Sequence, residues 1–308
     1  MFQASAPGKI ILFGEHAVVY GRPAIAAPLH RLQATAQVMA GRLGQGLVLE
    51  LPDIGQRATL ADAASQPLAQ VALLTLAALG LDRRPDWTVS LRSTIPLASG
   101  LGSGAAAAAA IVAALAGAAG VTFSPAQVSA LVYESETLFH GTPSGVDNTV
   151  IAYSQPVWFV RGQPPQPFAL NRPLTLVVAD TGIASPTSIA VGDVRRGWQA
   201  EPAAYEALFD AVGQVTQAAR RAIQEGDGAA LGRLMDRNQA CLQAMQVSCA
   251  ELDALCQAAR QGGAWGAKLS GGGRGGNMIA LASPERAEQV AARLLHAGAA
   301  RAFVTEIR

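Results

Sequence analysis

Charge is scarce in this sequence. Only 15% of its 308 residues are charged, and 23 basic against 22 acidic side chains leave a net charge of +1. That balance excludes the broad basic surface that DNA, RNA or an anionic membrane would require, so any phosphate bound here has to be bound locally. Cysteine is scarcer still. Cys241, Cys249 and Cys256, eight and seven residues apart, form neither a CxxC pair nor a metal-ligand spacing. They suit helix positions in a reduced, cytoplasmic protein. The first residues, Met1 to Gly8, lack the basic head and apolar core of a secretory leader, and none is expected. Ala105 to Val121 contains no polar side chain, yet it is short for a membrane span and alanine contributes little transfer energy. It reads as a buried helix whose small side chains let it lie close to a sheet. The partner expected is a small molecule, with no nucleic acid and no membrane; a homodimer stays open.

What is present is apolar: half of the residues are hydrophobic, enough for two modest domains or one large one. Lys9–Phe13, Ala24–Leu29, Ala34–Ala40 and Leu47–Leu51 read as strands, with Gly and Pro between several of them. Pro67–Leu79 reads as a helix, Trp87–Ile95 alternates as a strand, and a glycine-rich turn leads into the alanine helix. A further helix is expected over Pro125–Phe139, with Val128, Leu131, Val132 and Leu138 on its apolar side. Beyond Pro156, the strand Leu174–Ala179 is followed by mostly helical sequence to Gln261. Strands Ala267–Ser270 and Met278–Ala282, a helix from Pro284 and a last strand at Phe303–Ile307 complete the chain. The Pro/Gln-rich stretch Arg161–Pro167 reads as the boundary region. The pattern is α+β in two layered domains.

Three segments carry chemistry. In Ile95-Pro-Leu-Ala-Ser-Gly-Leu-Gly-Ser-Gly-Ala105, glycines at 100, 102 and 104 join a strand to a helix. They clear side chains from where backbone amides approach a ligand, and the helix adds unpaired N–H groups and its positive dipole end. This is the physics of a phosphate cradle, although no Gly-Lys-Ser/Thr makes it a Walker A loop. The bland alternative is a flexible turn. In Lys268-Leu-Ser-Gly-Gly-Gly-Arg-Gly-Gly-Asn277, five glycines flank Arg274, a candidate cation for nucleotide or substrate. The third, Ala6-Pro-Gly-Lys-Ile-Ile-Leu-Phe-Gly-Glu-His16, sets Lys9, Glu15 and His16 around a short apolar strand.

With these motifs in this order, the chain resembles the GHMP kinases over nearly its whole length. Pro7 to Gly21 and His140-Gly-Thr-Pro-Ser-Gly-Val-Asp-Asn148 are most similar to the mevalonate kinase branch, and the Thr-Asp-Tyr expected of a galactokinase after Gly-Glu-His is absent. The resemblance implies a ribosomal-protein-S5-like N-terminal domain over 1–165 and a ferredoxin-like C-terminal domain over 166–308, with ATP in the cleft. It implies transfer of the γ-phosphoryl group of ATP to the 5-hydroxyl of mevalonate, chemistry carried mainly by positioning and charge neutralisation. By the same resemblance Asp147 is the base and Lys9 the cation beside it. Pro96, Ser99, Gly100, Leu101, Gly102, Ser103 and Gly104 form the nucleotide loop, and Gly271 and Gly272 a second one. Glu15, His16 and Thr187 match acceptor-binding positions. Ser185 stands where relatives carry arginine, and Arg196 is the substitute cation for the substrate carboxylate. Mg2+ falls to Glu136, eleven residues before Asp147; the usual second serine is Gly104 here, so either Ser103 takes its metal contact or water supplies it. Glu134 is the solvated neighbour. Two other readings stay open: a related kinase with a different acceptor or regiochemistry, and a non-catalytic ATP sensor on the same scaffold.

Overall fold

The computed structural model describes residues 1–81, 85–96, 99–140, 143–184 and 187–308, without the side chains of 138–140. Leu97, Ala98, Gly141, Thr142 and Ser185, and the side chains of Leu138 and His140, therefore lie outside the described residues. The chain falls into two compact units. One contains Met1–Lys9, His30–Leu97 and Leu101–Ser154; the other contains Ile10–Leu29, Ala98–Gly100 and Gln155–Arg308.

The first unit draws on β1 (Phe2–Phe13), β2 (Ala24–Ala40), β3 (Val48–Leu51), β4 (Gln56–Thr59), α1 (Pro67–Ala78), β5 (Trp87–Ser93), α2 (Ser103–Ala118), α3 (Pro125–His140) and α4 (Val146–Tyr153). β5 is antiparallel to β2, from Ala34↔Ser93 to Ala40↔Trp87, and parallel to β3. β3 and β4 form a hairpin closed by a 3-10 turn at Pro52–Ile54 and Gly55 at φ 63. The sequence suggests two strands where β2 is one. Its exposed His30 and Arg31 look like a break, but the backbone runs through them as a strand. β5 ends at Ser93, ahead of Pro96, because proline cannot extend the ladder.

α2 is the alanine-rich helix, and Ala105 to Ala110 are all buried. It packs against α1, α3, α4 and β5. Small side chains allow the close approach: a Cβ on Gly117 would lie 2.0 Å from the Phe2 ring. α4 is a helix where the sequence reads as a turn. Gly145, at φ 86, lets the chain enter it and sets Asp147 in its first turn.

The second unit adds β6 (Val157–Phe159), β7 (Gln166–Pro167), β8 (Leu174–Asp180), α5 (Thr187–Ala200), α6 (Pro202–Glu225), α7 (Gly228–Ala244), α8 (Ala250–Gln261), β9 (Gly266–Ser270), β10 (Asn277–Leu281), α9 (Pro284–His296) and β11 (Arg301–Ile307). β6 pairs with Ala24–Ala26 of β2 and with β7. The other four strands make an antiparallel sheet in the order β11-β8-β10-β9. Counted along the chain this order is 4-1-3-2, the ferredoxin-like arrangement. Val177, Ala179 and Met278 from the sheet meet Phe209, Leu255 and Leu294 from the helices in one buried core. Each such large side chain contributes about 1.5–3 kcal/mol on full burial.

Candidate active site

In the first unit, Lys9 is 4% exposed on β1, and its Nζ lies 3.0 Å from Oδ1 of Asp147. The lysine backbone N–H donates to the carbonyl of Leu101 at 2.9 Å, which stitches the strand to the glycine loop. Gly102 caps α2 at φ 75, and a Cβ there would lie 2.8 Å from Cγ of Lys9 and 3.0 Å from Cδ1 of Ile151. The glycine is therefore needed by the lysine stem as well as by any ligand. Gly104 differs: a Cβ there would meet nothing within 4 Å, which leaves open space at the first turn of α2. Among the described residues no side chain caps that turn, which leaves its first N–H groups without a side-chain acceptor.

Glu136, half-buried on α3, completes the charged group. Burial, and then the negative charge of Asp147, push its carboxyl up to about 7, with Lys9 pulling the other way. A carboxyl in that condition gains from a neighbouring cation. Glu134, two positions away on the helix, is exposed. Ser103, Gly104 and Glu136 line a cavity of about 520 Å³ together with Leu68, Leu91 and Ile95. A lining that combines the start of α2 and polar side chains with apolar ones suits a nucleotide. Among the described residues, no three His, Cys, Asp or Glu side chains converge as a ready metal site. A cation held by Glu136 and Ser103 would need ligand oxygens as well, which fits Mg2+ on a triphosphate.

In the second unit, Glu15 and Lys268 form an ion pair with both side chains fully buried. The other Glu15 oxygen accepts from Nδ2 of Asn238 at 3.1 Å. Both Glu15 oxygens are thus taken by the protein, and its carboxylate braces the site from within. Burial lowers the Lys268 pKa, and Glu15 opposes that shift. His16 sits at φ 60, 6% exposed, with Nε2 3.0 Å from the carbonyl oxygen of Gly272. A Cβ on Gly272 would lie 3.2 Å from Thr187, so His16, the second glycine loop and the start of α5 come together. Gly271, at φ 95, has open space beside it.

Arg196 does not join that group. It is nine residues after Thr187 on α5, roughly 13 Å along the axis and on the opposite face. It pairs with Asp193, which also accepts from Arg274. The expectation that Arg274 is a free cation for a ligand meets the same carboxylate.

Several participants were not singled out from the sequence. Asn148 donates to the carbonyl and hydroxyl of Ser129, at 3.2 and 2.8 Å, and anchors α4 on α3. Asn277 donates to the carbonyl of Ser99. The Oγ of Ser270 both accepts from the Ile11 N–H (3.2 Å) and donates to its carbonyl (2.8 Å). Lys268, a charged residue between the apolar Ala267 and Leu269, was the one visible signal. Pro96 is half-buried beside the loop.

The family model of the GHMP kinases N terminal domain matches residues 67–155, and that of the GHMP kinases C terminal matches 219–300. A mevalonate kinase of Pyrococcus horikoshii is 35% identical, covering 96% of this chain and 92% of the relative. A mevalonate kinase of Thermococcus sibiricus is 34% identical, with 96% and 93% covered. The crystal structure of L. major mevalonate kinase in complex with R-mevalonate superposes with a TM-score of 0.86 at 30% identity, over 100% of this chain and 96% of that one.

Proposed function

The chain belongs to the GHMP kinases, and we propose that it transfers the γ-phosphoryl group of ATP to the 5-hydroxyl of mevalonate, a step toward isoprenoid precursors in lipid metabolism. The observation that carries the residue assignment is the Lys9–Asp147 pair at 3.0 Å, set against the glycine loop. Asp147 takes the proton of the primary hydroxyl. Lys9, paired with that carboxylate, offsets negative charge as the alkoxide develops. The first turn of α2, with Ser103 and Gly104, holds phosphate oxygens, and the apolar walls of the adjoining cavity take the nucleoside. Pro96, Ser99, Gly100, Leu101 and Gly102 shape that loop, and Gly271 and Gly272 add a second set of backbone amides.

Glu136 and Ser103 would hold Mg2+, which would neutralise phosphate charge when bound. His16 and Thr187 contact the acceptor, and Glu15, closed against Lys268, positions His16. Arg196 is left with Asp193. We place the functional division at 1–165 and 166–308, while the compact units cross it: Ile10–Leu29, Ala98–Gly100 and residues 155–165 belong to the second unit. ATP use and three unpaired cysteines suit a cytoplasmic enzyme; no helix among the described residues is long and apolar enough to cross a membrane.

Asp147→Asn tests the assignment. It keeps the size of the side chain and removes its basicity. Turnover of mevalonate is expected to fall about 10²–10⁴-fold, while ATP binding persists in equilibrium titration. Near-normal turnover would remove Asp147 as the base.

A further inference from the structure

The two members of the Lys9–Asp147 pair are held unequally. Lys9 is fixed by its backbone bond to Leu101 and by the packing of its stem against Gly102. The side chain of Asp147 is 34% exposed, and among the described residues Lys9 is its only bonded partner. Where that carboxylate lies therefore depends on where α4 lies. The helix has eight residues, is entered through Gly145 at φ 86, and has no side chain capping its first turn among the described residues. Thr149 bonds back to the carbonyl of Gly145 at 2.6 Å, within the same turn. Val146, Val150 and Ile151 are buried, but apolar packing is non-directional and fixes the roll of a helix only loosely. Asn148 ties this turn to another element. Its Nδ2 donates to the carbonyl and hydroxyl oxygens of Ser129 on α3, at 3.2 and 2.8 Å. Lys9, Ser129, Asp147 and Asn148 all belong to the first compact unit.

For stability alone this amide is a poor choice. A carbonyl only accepts, so Ser129 fixes which end of the amide faces it. Oδ1 is turned elsewhere and, in a residue 4% exposed, has no partner among the described residues. A buried acceptor left unpaired is costly, and a leucine of similar size would avoid that cost. What leucine cannot supply is a directed bond. Asn148 follows Asp147 by one position, about 100° around the helix. A roll of about 10° would carry a carboxylate about 5–6 Å from the axis through about 1 Å. A displacement of that size can cost about 10²-fold in rate.

We propose that Asn148 is a positioning residue for phosphoryl transfer: its hydrogen bonds to Ser129 set the roll of α4 and thereby keep Asp147 against Lys9. The inference rests on the reading of Asp147 as the base. Asn148 touches no reacting atom in this scheme, so its removal acts on kcat and spares binding.

Asn148→Leu should lower kcat with mevalonate about 10- to 100-fold, with KM for ATP and for mevalonate within about threefold of wild type. Its urea midpoint should equal or exceed that of wild type, because the stranded acceptor is gone. Ser129→Ala removes the shorter of the two bonds and should lower kcat about threefold to tenfold. Ser129→Thr, which keeps the hydroxyl, should stay within about twofold of wild type. The sharpest readout is the double variant Asp147→Asn/Asn148→Leu. A residue that acts only through Asp147 has nothing left to position once the base is gone. The double variant should therefore turn over within about threefold of Asp147→Asn alone, whereas a merely structural role would multiply the two losses. A folded Asn148→Leu variant with wild-type kcat, or a double variant slowed by a further factor of about ten, overturns the inference while Asp147 stays the base. Should Asn148→Leu not fold, Ser129→Ala at wild-type kcat overturns it equally. Near-normal turnover by Asp147→Asn overturns the reading of Asp147 as the base and this inference with it.

Discussion

Glu136→Gln should make the metal-free protein more stable and the enzyme worse. The Glu136 carboxyl is raised from 4.5 to about 7 in the folded chain, first by burial and then by Asp147. Between those two values the folded state holds a proton that the unfolded state has released. The residue is therefore least costly below pH 4.5, and its cost grows as pH rises through the window. Above pH 7 the penalty is about 3 kcal/mol, from 1.36 kcal/mol for each tenfold change in proton affinity. Glutamine is neutral throughout, so the variant should exceed wild type by up to about 3 kcal/mol at pH 8, with the gap closing toward pH 4.5. Urea unfolding in EDTA at pH 8, 6 and 4.5 reads this directly. Adding Mg2+ and ATP should stabilise wild type more than the variant, because a cation repays the buried charge. Glu134→Gln, at an exposed position, should stay within about 0.5 kcal/mol of wild type at every pH. A stability gap that ignores pH, or a variant weaker than wild type at pH 8, would refute the reasoning.

Other substitutions probe the rest of the scaffold. Gly102→Ala forces a side chain into a φ of 75 and against the Lys9 stem; it should cost about 1–3 kcal/mol in a denaturation assay and depress turnover. Gly104→Ala, with open space at its Cβ, should leave the fold equally stable or more stable by about 0.4–1 kcal/mol, yet weaken ATP binding in calorimetry. Lys268→Met strands the Glu15 carboxylate in the core and should cost about 3–5 kcal/mol, and adding Glu15→Gln should recover much of that loss in the same urea assay.

How much of this was legible depends on what fixes each residue. The strand, loop and helix that carry Lys9, Gly102 and Ser103 follow from glycine spacing and apolar runs, which are local properties. α2 was readable because alanine leaves it no other role than a buried helix. β2 was not read as one strand, since the exposed His30–Arg31 pair looks like a turn until β5 and β6 supply partners on either side of it. α4 was hidden because eight residues after a Gly-rich turn leave too little periodicity to count. The sequence brought Glu15 and His16 together but could not show that the first faces Lys268, more than 250 residues away, or that the second reaches the carbonyl of Gly272. Arg196 illustrates the reverse: a suitable cation in the right stretch, on the opposite face of its helix from Thr187 and claimed by Asp193.

The central claim is best tested by the phosphorus NMR spectrum of the product formed from ATP and mevalonate, with phosphomevalonate, homoserine and galactose run alongside. The account predicts ADP release with mevalonate and a new phosphate monoester coupled to a methylene, as phosphorylation of the primary hydroxyl requires. A phosphate without that coupling, or ATP consumed with one of the other acceptors and not with mevalonate, would contradict it.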